Sequence, residues 1–401
     1  MLTDFKPHFD NAYEDIFQKV LVGKPICNTR FEKDLKYGET IERVAFDISA
    51  VRVRDTVRGN ASTIDTISDS AELLTINLEK EAVFHISDGE VKQAGPLNPG
   101  EVIGGKIAIK VATDLDSRIF AEVLNAYQTF DTGDLTTLVS TDVPITLSST
   151  TVPQMVTRMP AKLKRGANQV IMANNMALVM DAFAIADFEE YLLGKQFSVV
   201  ESVFKNGYSG LISSATVYAS ENLTGEAVFT DSGTLADGET VTIGGVVFTY
   251  KTTLSSGPAV AGEVVIGADL AASMTNLAAA INAPGTTTAT FTALSSANQL
   301  VIEDTLNLTA TAAATTVTIV GTGSGRLILS TTGVSSSWSS NFIHSYYGKK
   351  GAIDLVIQDM KEVDMRPTDD RRGTNVFTSY LAGLKTFADG AKQFLDVKIT
   401  A

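Results

Sequence analysis

Residues 237–253 read DGETVTIGGVVFTYKTT. Apolar and polar side chains alternate on both sides of a glycine pair. Val241 and Ile243 precede Gly244-Gly245, and Val246, Phe248 and Tyr250 follow it. Two period-two strands joined by two residues that tolerate positive φ predict a tight β-hairpin. The surrounding composition is just as distinctive. From about Thr224 to Gly333 the chain is mostly Thr, Ala, Gly, Ser and Val, with Lys251 and Arg326 as its only basic side chains. Within that stretch Leu270, Met274, Leu277 and Ile281 recur near helical spacing and predict a helix over 269–281. Strands are predicted near 288–294, 299–303 and 315–320. Residues 223–336 therefore read as a self-contained, β-rich α+β domain.

The flanks have another texture, and the same texture returns after residue 335, so the unit reads as an insertion into one parent domain. Upstream, residues 10–22 predict a short amphipathic helix stopped by Gly23-Lys24-Pro25. TIERVAFDISAVRVRD (40–55) alternates as a long, bulged strand, residues 55–70 read as a polar loop tip, and Leu74, Ile76 and Leu78 alternate on the return. Residues 40–92 thus predict one long two-stranded excursion, with little of its own chain to bury against. A helix is predicted over 113–130, with Thr113 and Asp116 in a capping pattern and Ile119, Phe120, Val123, Leu124, Tyr127 and Phe130 as its apolar stripe. Pro153 and Pro160 punctuate the next stretch. NQVIMA (168–173) predicts a buried strand, and Asn175 is placed to cap a helix over 176–193. Strands are expected at 197–202 and 210–220. GAIDLVIQDMKEVDMRP, GTNVFTSYLAGLKTF and KQFLDVKITA close the chain as strands.

Composition narrows the function. The chain has 401 residues, 44% of them hydrophobic, enough for a substantial core. Its net charge is −14, from 46 acidic and 32 basic residues, the wrong sign for a tight nucleic-acid binder. Cys27 is the only cysteine, so neither an intrachain disulfide nor a thiolate metal cluster is expected. The N-terminal residues lack the apolar core of a signal peptide, and no stretch is long enough for a membrane span, so a soluble, cytoplasm-made protein is expected. His8, His85 and His344 have no metal-ligand spacing and read as packing or surface residues. GTGSGR (321–326) lacks the phosphate-loop form and reads as a strand-end loop. KLKRG (162–166) reads as a solvent-facing basic island, and Asp369-Asp370-Arg371-Arg372 as a charged turn. No catalytic, cofactor-binding or metal residue is assigned, and no enzyme activity is expected.

Taken in order, LKYGETIERVAFDISAVRVRD (35–55), ELLTINLEKEAVFHISDGEVKQA (72–94), ATDLDSRIFAEVLNAYQ (112–128), RGANQVIMANNMALVMDAF (165–183) and GYSGLISSATVYASENL (207–223) resemble the major capsid protein of tailed bacteriophages (Caudoviricetes), the Hong Kong 97 fold. The resemblance implies an α+β capsid fold. Its parts would be an N-terminal arm (1–39), an extended loop (40–92), a spine helix with peripheral and axial domains (93–222 and 337–401), and the inserted domain (223–336). That domain is itself similar to a module that recurs in phage structural proteins. The resemblance further implies a homo-oligomer of pentamers and hexamers in an icosahedral shell. Double-stranded DNA would be enclosed without sequence-specific contact. Separate scaffolding and portal proteins are implied partners, a decoration protein is a further one, and no membrane is involved. The place would be the virion, after synthesis in the host cytoplasm. The alternatives are another virion part, a tail-tube or decoration protein, and a cell-surface adhesin.

Overall fold

A computed structural model describes residues 21–32, 38–47, 51–55, 64–87, 99–167, 175–193, 211–212, 215–255, 260–323, 325–367 and 372–400. β1 (Thr40–Asp47) and β2 (Ser68–Thr75) pair antiparallel along their full length, Thr40 opposite Thr75 and Asp47 opposite Ser68. Because side chains alternate across a strand, one face of this ribbon carries Ile41 and Leu74 and the other Val44 and Leu73. The first face is covered; Val44 and Leu73 are exposed. The expected hairpin over 40–92 is shorter than its alternation suggested. β3 (Leu78–Ser87) pairs with residues 373–382 instead of with β1. Alternation fixes which face is apolar and says nothing about which strand lies alongside.

α1 (Pro99–Ala121) starts well before the expected Thr113. Thr113 is no cap; its hydroxyl donates to the Ile109 carbonyl within the helix, at 2.8 Å. Gly104 and Gly105 in its first turns are buried, and close packing outweighs their low helix propensity. Residues 122–125 form a 3-10 turn, and β4 (Gln128–Phe130) takes the end of the expected helix. α2 (Thr151–Ala167) runs through both prolines. Pro153 lies in its first turn, where no N–H is needed, and Pro160 lies inside. The helix expected over 176–193 is instead two elements, β5 (Met176–Met180) and α3 (Ala182–Leu193). All five residues of β5 are buried, and a short apolar run has no period to separate strand from helix. The cap is Asp181, not Asn175: its Oδ1 accepts from the Ala184 N–H at 3.0 Å. β6 (Leu211–Ile212) and β7 (Ala215–Ala219) follow as expected. The strands expected at 168–173 and 197–202 lie outside the described residues, as do residues 10–20 of the first expected helix; Leu21 and Val22 are not helical.

β8 (Thr224–Asp231) opens the Thr-rich segment. β9 (Thr240–Ile243) and β10 (Val246–Lys251) form the hairpin read from the sequence, with Ile243 opposite Val246. Gly244 and Gly245 make the two-residue turn at φ +58° and +83°, the left-handed pair that suits strand twist. β11 (Glu263–Val265) adds parallel to β10. α4 (Leu270–Asn282) is capped by Asp269, whose carboxylate accepts from the Ala272 N–H at 2.7 Å. Residues 288–294 are not a strand; Phe291 makes only an isolated bridge to Val264. The strand expected at 299–303 is helical: α5 (Ser296–Leu300), capped by Ser295, runs into one π-turn over Val301–Thr305. β12 (Leu308–Ala312), β13 (Thr316–Gly321) and β14 (Leu329–Thr331) complete the segment. Its core gathers Phe229, Phe248, Tyr250, Met274, Leu277 and Ile319. The chain closes with β15 (Ser336–Lys349), β16 (Asp354–Pro367), β17 (Gly373–Lys385), α6 (Ala388–Ala391) and β18 (Phe394–Thr400).

These elements fall into two compact units. One includes residues 26–108 and 351–391. It holds the β1–β2 ribbon and the antiparallel sheet β16–β17–β3. Leu74, Ile76, Val356 and Phe387 form its small core, with Phe31, Ile41 and Leu381 against it. Gly383 lets the ribbon approach, since a Cβ there would stand 2.8 Å from the Thr75 carbonyl. The other unit includes residues 109–350 and 392–400. Its main sheet is ordered β12-β13-β8-β15-β5-β7-β6, with β18 paired to β15 and β4. A second sheet is ordered β11-β10-β9-β14. β15 is the shared member, pairing β8 along its first half and β5 along its last residues, with β18 on its other side. At the end of the main sheet, the Asn282 side chain accepts from the Ala310 N–H and donates to the Ala310 carbonyl, both at 2.8 Å.

Candidate assembly surfaces

Beyond the paired part of the ribbon, residues 51–55 and 64–67 have no regular ladder. They are tied by one charged staple. The Arg54 guanidinium donates to both Asp65 oxygens at 2.7 and 2.9 Å, and the Arg52 N–H donates to Asp65 at 2.9 Å. Arg54 first, and then the Arg52 amide, hold the Asp65 carboxyl below its ordinary range. Around the staple the side chains are apolar and bare: Val53 is fully exposed, Ile64 is 89% exposed, and Val51 and Ile67 are also open. The root is anchored by contrast. Arg43 pairs with Asp389 at 3.2 Å and lies over the Phe387 ring at 5.2 Å. Glu72 accepts from the Ala388 N–H at 3.1 Å.

In the other unit, buried carboxylates fix the loops. Asp116 accepts from the Val22 and Gly23 N–H groups, each at 2.9 Å, and so docks the segment that leaves the N-terminal residues. Burial pushes its carboxyl up to about 6, against the pull of those two amides and of Asn222. Gly23 is required by the close approach; a Cβ there would sit 2.9 Å from Ile119. Asp131 caps a 3-10 turn and gathers the Thr141 and Asp142 amides. Lys162, expected in solvent, is buried, with Nζ 2.5 Å from the buried Asp134. Its long stem lies on the apolar side of α2, while Lys164 and Arg165 are exposed.

Three fastenings hold the Thr-rich segment at its base. Asp231, fully buried, accepts from the Gly233 N–H at 2.7 Å and the Ser335 hydroxyl at 3.0 Å, and also from the Ser336 hydroxyl. Arg326 pairs with Asp181 and lies over the Phe183 ring at 5.4 Å. GTGSGR is thus a strand-end loop as expected, with a structural task. Gly325 crosses Gly225 so closely that a Cβ on Gly225 would be 1.9 Å from the Gly325 carbonyl oxygen. His344, 2% exposed, lies with Nδ1 2.8 Å from Asp396 and Nε2 3.2 Å from Glu226. Burial alone would lower its pKa, but the Asp396 and Glu226 carboxylates outweigh burial and raise it to about 9.

Of the other residues singled out by sequence, His85 meets Asn375 at 2.9 Å, and Cys27 is half-buried. His8 and Asp369-Asp370-Arg371 lie outside the described residues. Among the described residues, no group of three or more His, Cys, Asp or Glu side chains is arranged to hold a metal ion. No described helix is long and apolar enough to cross a membrane. Asp116, Asp231, Lys162 and His344 were not recognisable as anchors. Their partners come mostly from strands or loops distant in sequence, and only the buried setting gives each its anchoring role.

No protein-family model matches the sequence, and comparison with curated proteins finds no match. Solved structures do resemble it. The chain is similar to one in "Capsid of Ralstonia phage GP4", at 8% identity and a TM-score of 0.44, covering 93% of this chain and 86% of that one. It is similar to one in "Capsid structure of the Cyanophage P-SCSP1u", at 9% identity and a TM-score of 0.43, covering 91% and 84%. A third likeness is to "Crystal structure of virus-like particle from Pyrococcus furiosus", at 11% identity and a TM-score of 0.37, covering 97% and 96%. In each case this α+β chain is similar to a capsid or virus-like-particle subunit over more than nine-tenths of its length.

Proposed function

We propose that this chain is the major capsid protein of a tailed phage, a structural subunit that closes into pentamers and hexamers of an icosahedral head around double-stranded DNA. The observation that carries the reading is the ribbon. Its root is fixed by Arg43, Glu72 and a small apolar core, while Val51, Val53, Ile64 and Ile67 stand in solvent around the Arg54–Asp65 ion pair. Apolar side chains held out in solvent on an arm anchored at its root gain most by burial on another copy. An acidic chain suits enclosure of DNA without tight contact. Residues 223–336 are the inserted domain, carried on the outer surface. Separate scaffolding and portal proteins are the partners this role implies, a decoration protein is an optional further one, and the subunit works in the virion without catalysis.

Electron microscopy of the purified, overexpressed chain, alone and with a candidate scaffold, tests the reading. Curved shells with five- and six-fold capsomers are expected. Straight tubes, isolated rings or a stable monomer under all conditions would replace the capsid role with another virion part or a different function.

A further inference from the structure

His344 is bracketed by two carboxylates on two different strands, Asp396 on β18 and Glu226 on β8. A carboxylate only accepts, so satisfying both contacts requires both ring nitrogens to donate. A neutral imidazole has one N–H. It would serve one carboxylate and turn a lone pair on the other, and on the Asp396 side, where both ring and carboxylate are buried, burial leaves little water to compensate. Asp396 has little else to lean on: its Oδ1 has no hydrogen-bond partner among the described residues. Among the described residues, the further charges coupled to these carboxylates are Lys398 on β18 and, beyond it, Asp142. The Lys398 ammonium is 2.5 Å from Asp142 and 5.2 Å from the centre of the Phe342 ring. Phe342 itself lies 5.1 Å from the imidazole and seals its flank.

The geometry points to a proton-operated fastening, in which the His344 imidazolium joins the first strand of the inserted segment to the closing strand of the chain, and loss of its proton releases that seam. β8 enters the Thr-rich segment and β18 ends the chain, and β15 between them carries the ring. The sign follows from linkage. A ring whose proton is held more tightly folded than unfolded adds stability fully present below the free-imidazole pKa of 6.5, and that stability is lost as the pH rises through about 9. The difference corresponds to a proton held on the order of 10²-fold more tightly than by a free ring. The seam is therefore closed at neutral and mildly acidic pH and opens in alkali.

The test uses the full-length chain with 15N-labelled histidine rings, of which there are three. One imidazole should keep both ring protons at pH 8 and lose one with a midpoint near 9. The melting temperature should fall between pH 7.5 and 9.5, and His344→Gln should remove that part of the fall. Glu226→Gln, at a partly exposed position, should lower the ring's midpoint without preventing folding, and it serves if the His344 variant does not fold. Three rings all neutral at pH 8, an unmoved midpoint in Glu226→Gln, or an equal alkaline fall in a folded His344→Gln would overturn the proposal.

Discussion

Two buried carboxylates show how neighbours decide what a charge does. Asp134 has Lys162 at 2.5 Å, so its burial is compensated. Lys162→Met would keep the stem and remove the ammonium, leaving Asp134 as an unpaired buried charge. Breaking such a pair costs about 3–5 kcal/mol, read as a lower denaturation midpoint in urea. Asp116 is held by neutral donors, the Val22 and Gly23 amides. Its folded pKa is about 6, against 3.8 ordinarily, so between those values the folded chain binds more protons than the unfolded one. Stability should therefore fall as the pH rises from about 4 to about 6. Asp116→Asn cannot titrate and should lose that slope, which calorimetry across the range would record.

Among elements, those written in local chemistry were legible. The Gly244-Gly245 hairpin and the Asp269-capped α4 each carry their signal within a few residues, and both form where expected. Gly245→Val would force a β-branched side chain to φ +83°, where it is disfavoured by about 1–2 kcal/mol, and Gly245→Asn should be tolerated far better. Thermal melts of the two variants measure the difference. Elements defined by their surroundings were misread. MALVM became a strand because β15 and β7 flank it, and residues 299–303 became helical behind the Ser295 cap. α1 begins early because burial accommodates Gly104 and Gly105. β3 left the ribbon because β17 lies beside it, ten residues in register from Gly373 opposite Ser87 to Ala382 opposite Leu78. Pairing across hundreds of residues is a tertiary choice that period-two alternation does not encode.

For the whole molecule, the capsid reading separates stability from assembly. Val53→Ser, Ile64→Ser and Ile67→Ser together remove apolar surface that the isolated chain does not bury. Unfolding free energy should change by no more than about 0.5 kcal/mol per site, as for ordinary surface substitutions. Shell formation, followed by sedimentation, should be lost. A large drop in melting temperature would instead mean that the ribbon folds back on its own chain. The anchors at Asp116, Asp231 and His344 were the least legible part of the molecule, since their partners converge only after the strands have assembled. Asn282 has one further consequence. Its amide occupies the backbone groups of Ala310 on the outermost strand β12. An open strand edge recruits other strands indiscriminately, and a chain that accumulates to high local concentration would then polymerise into fibrils. One asparagine plugs that socket, leaving contacts between copies to be chosen by side chains.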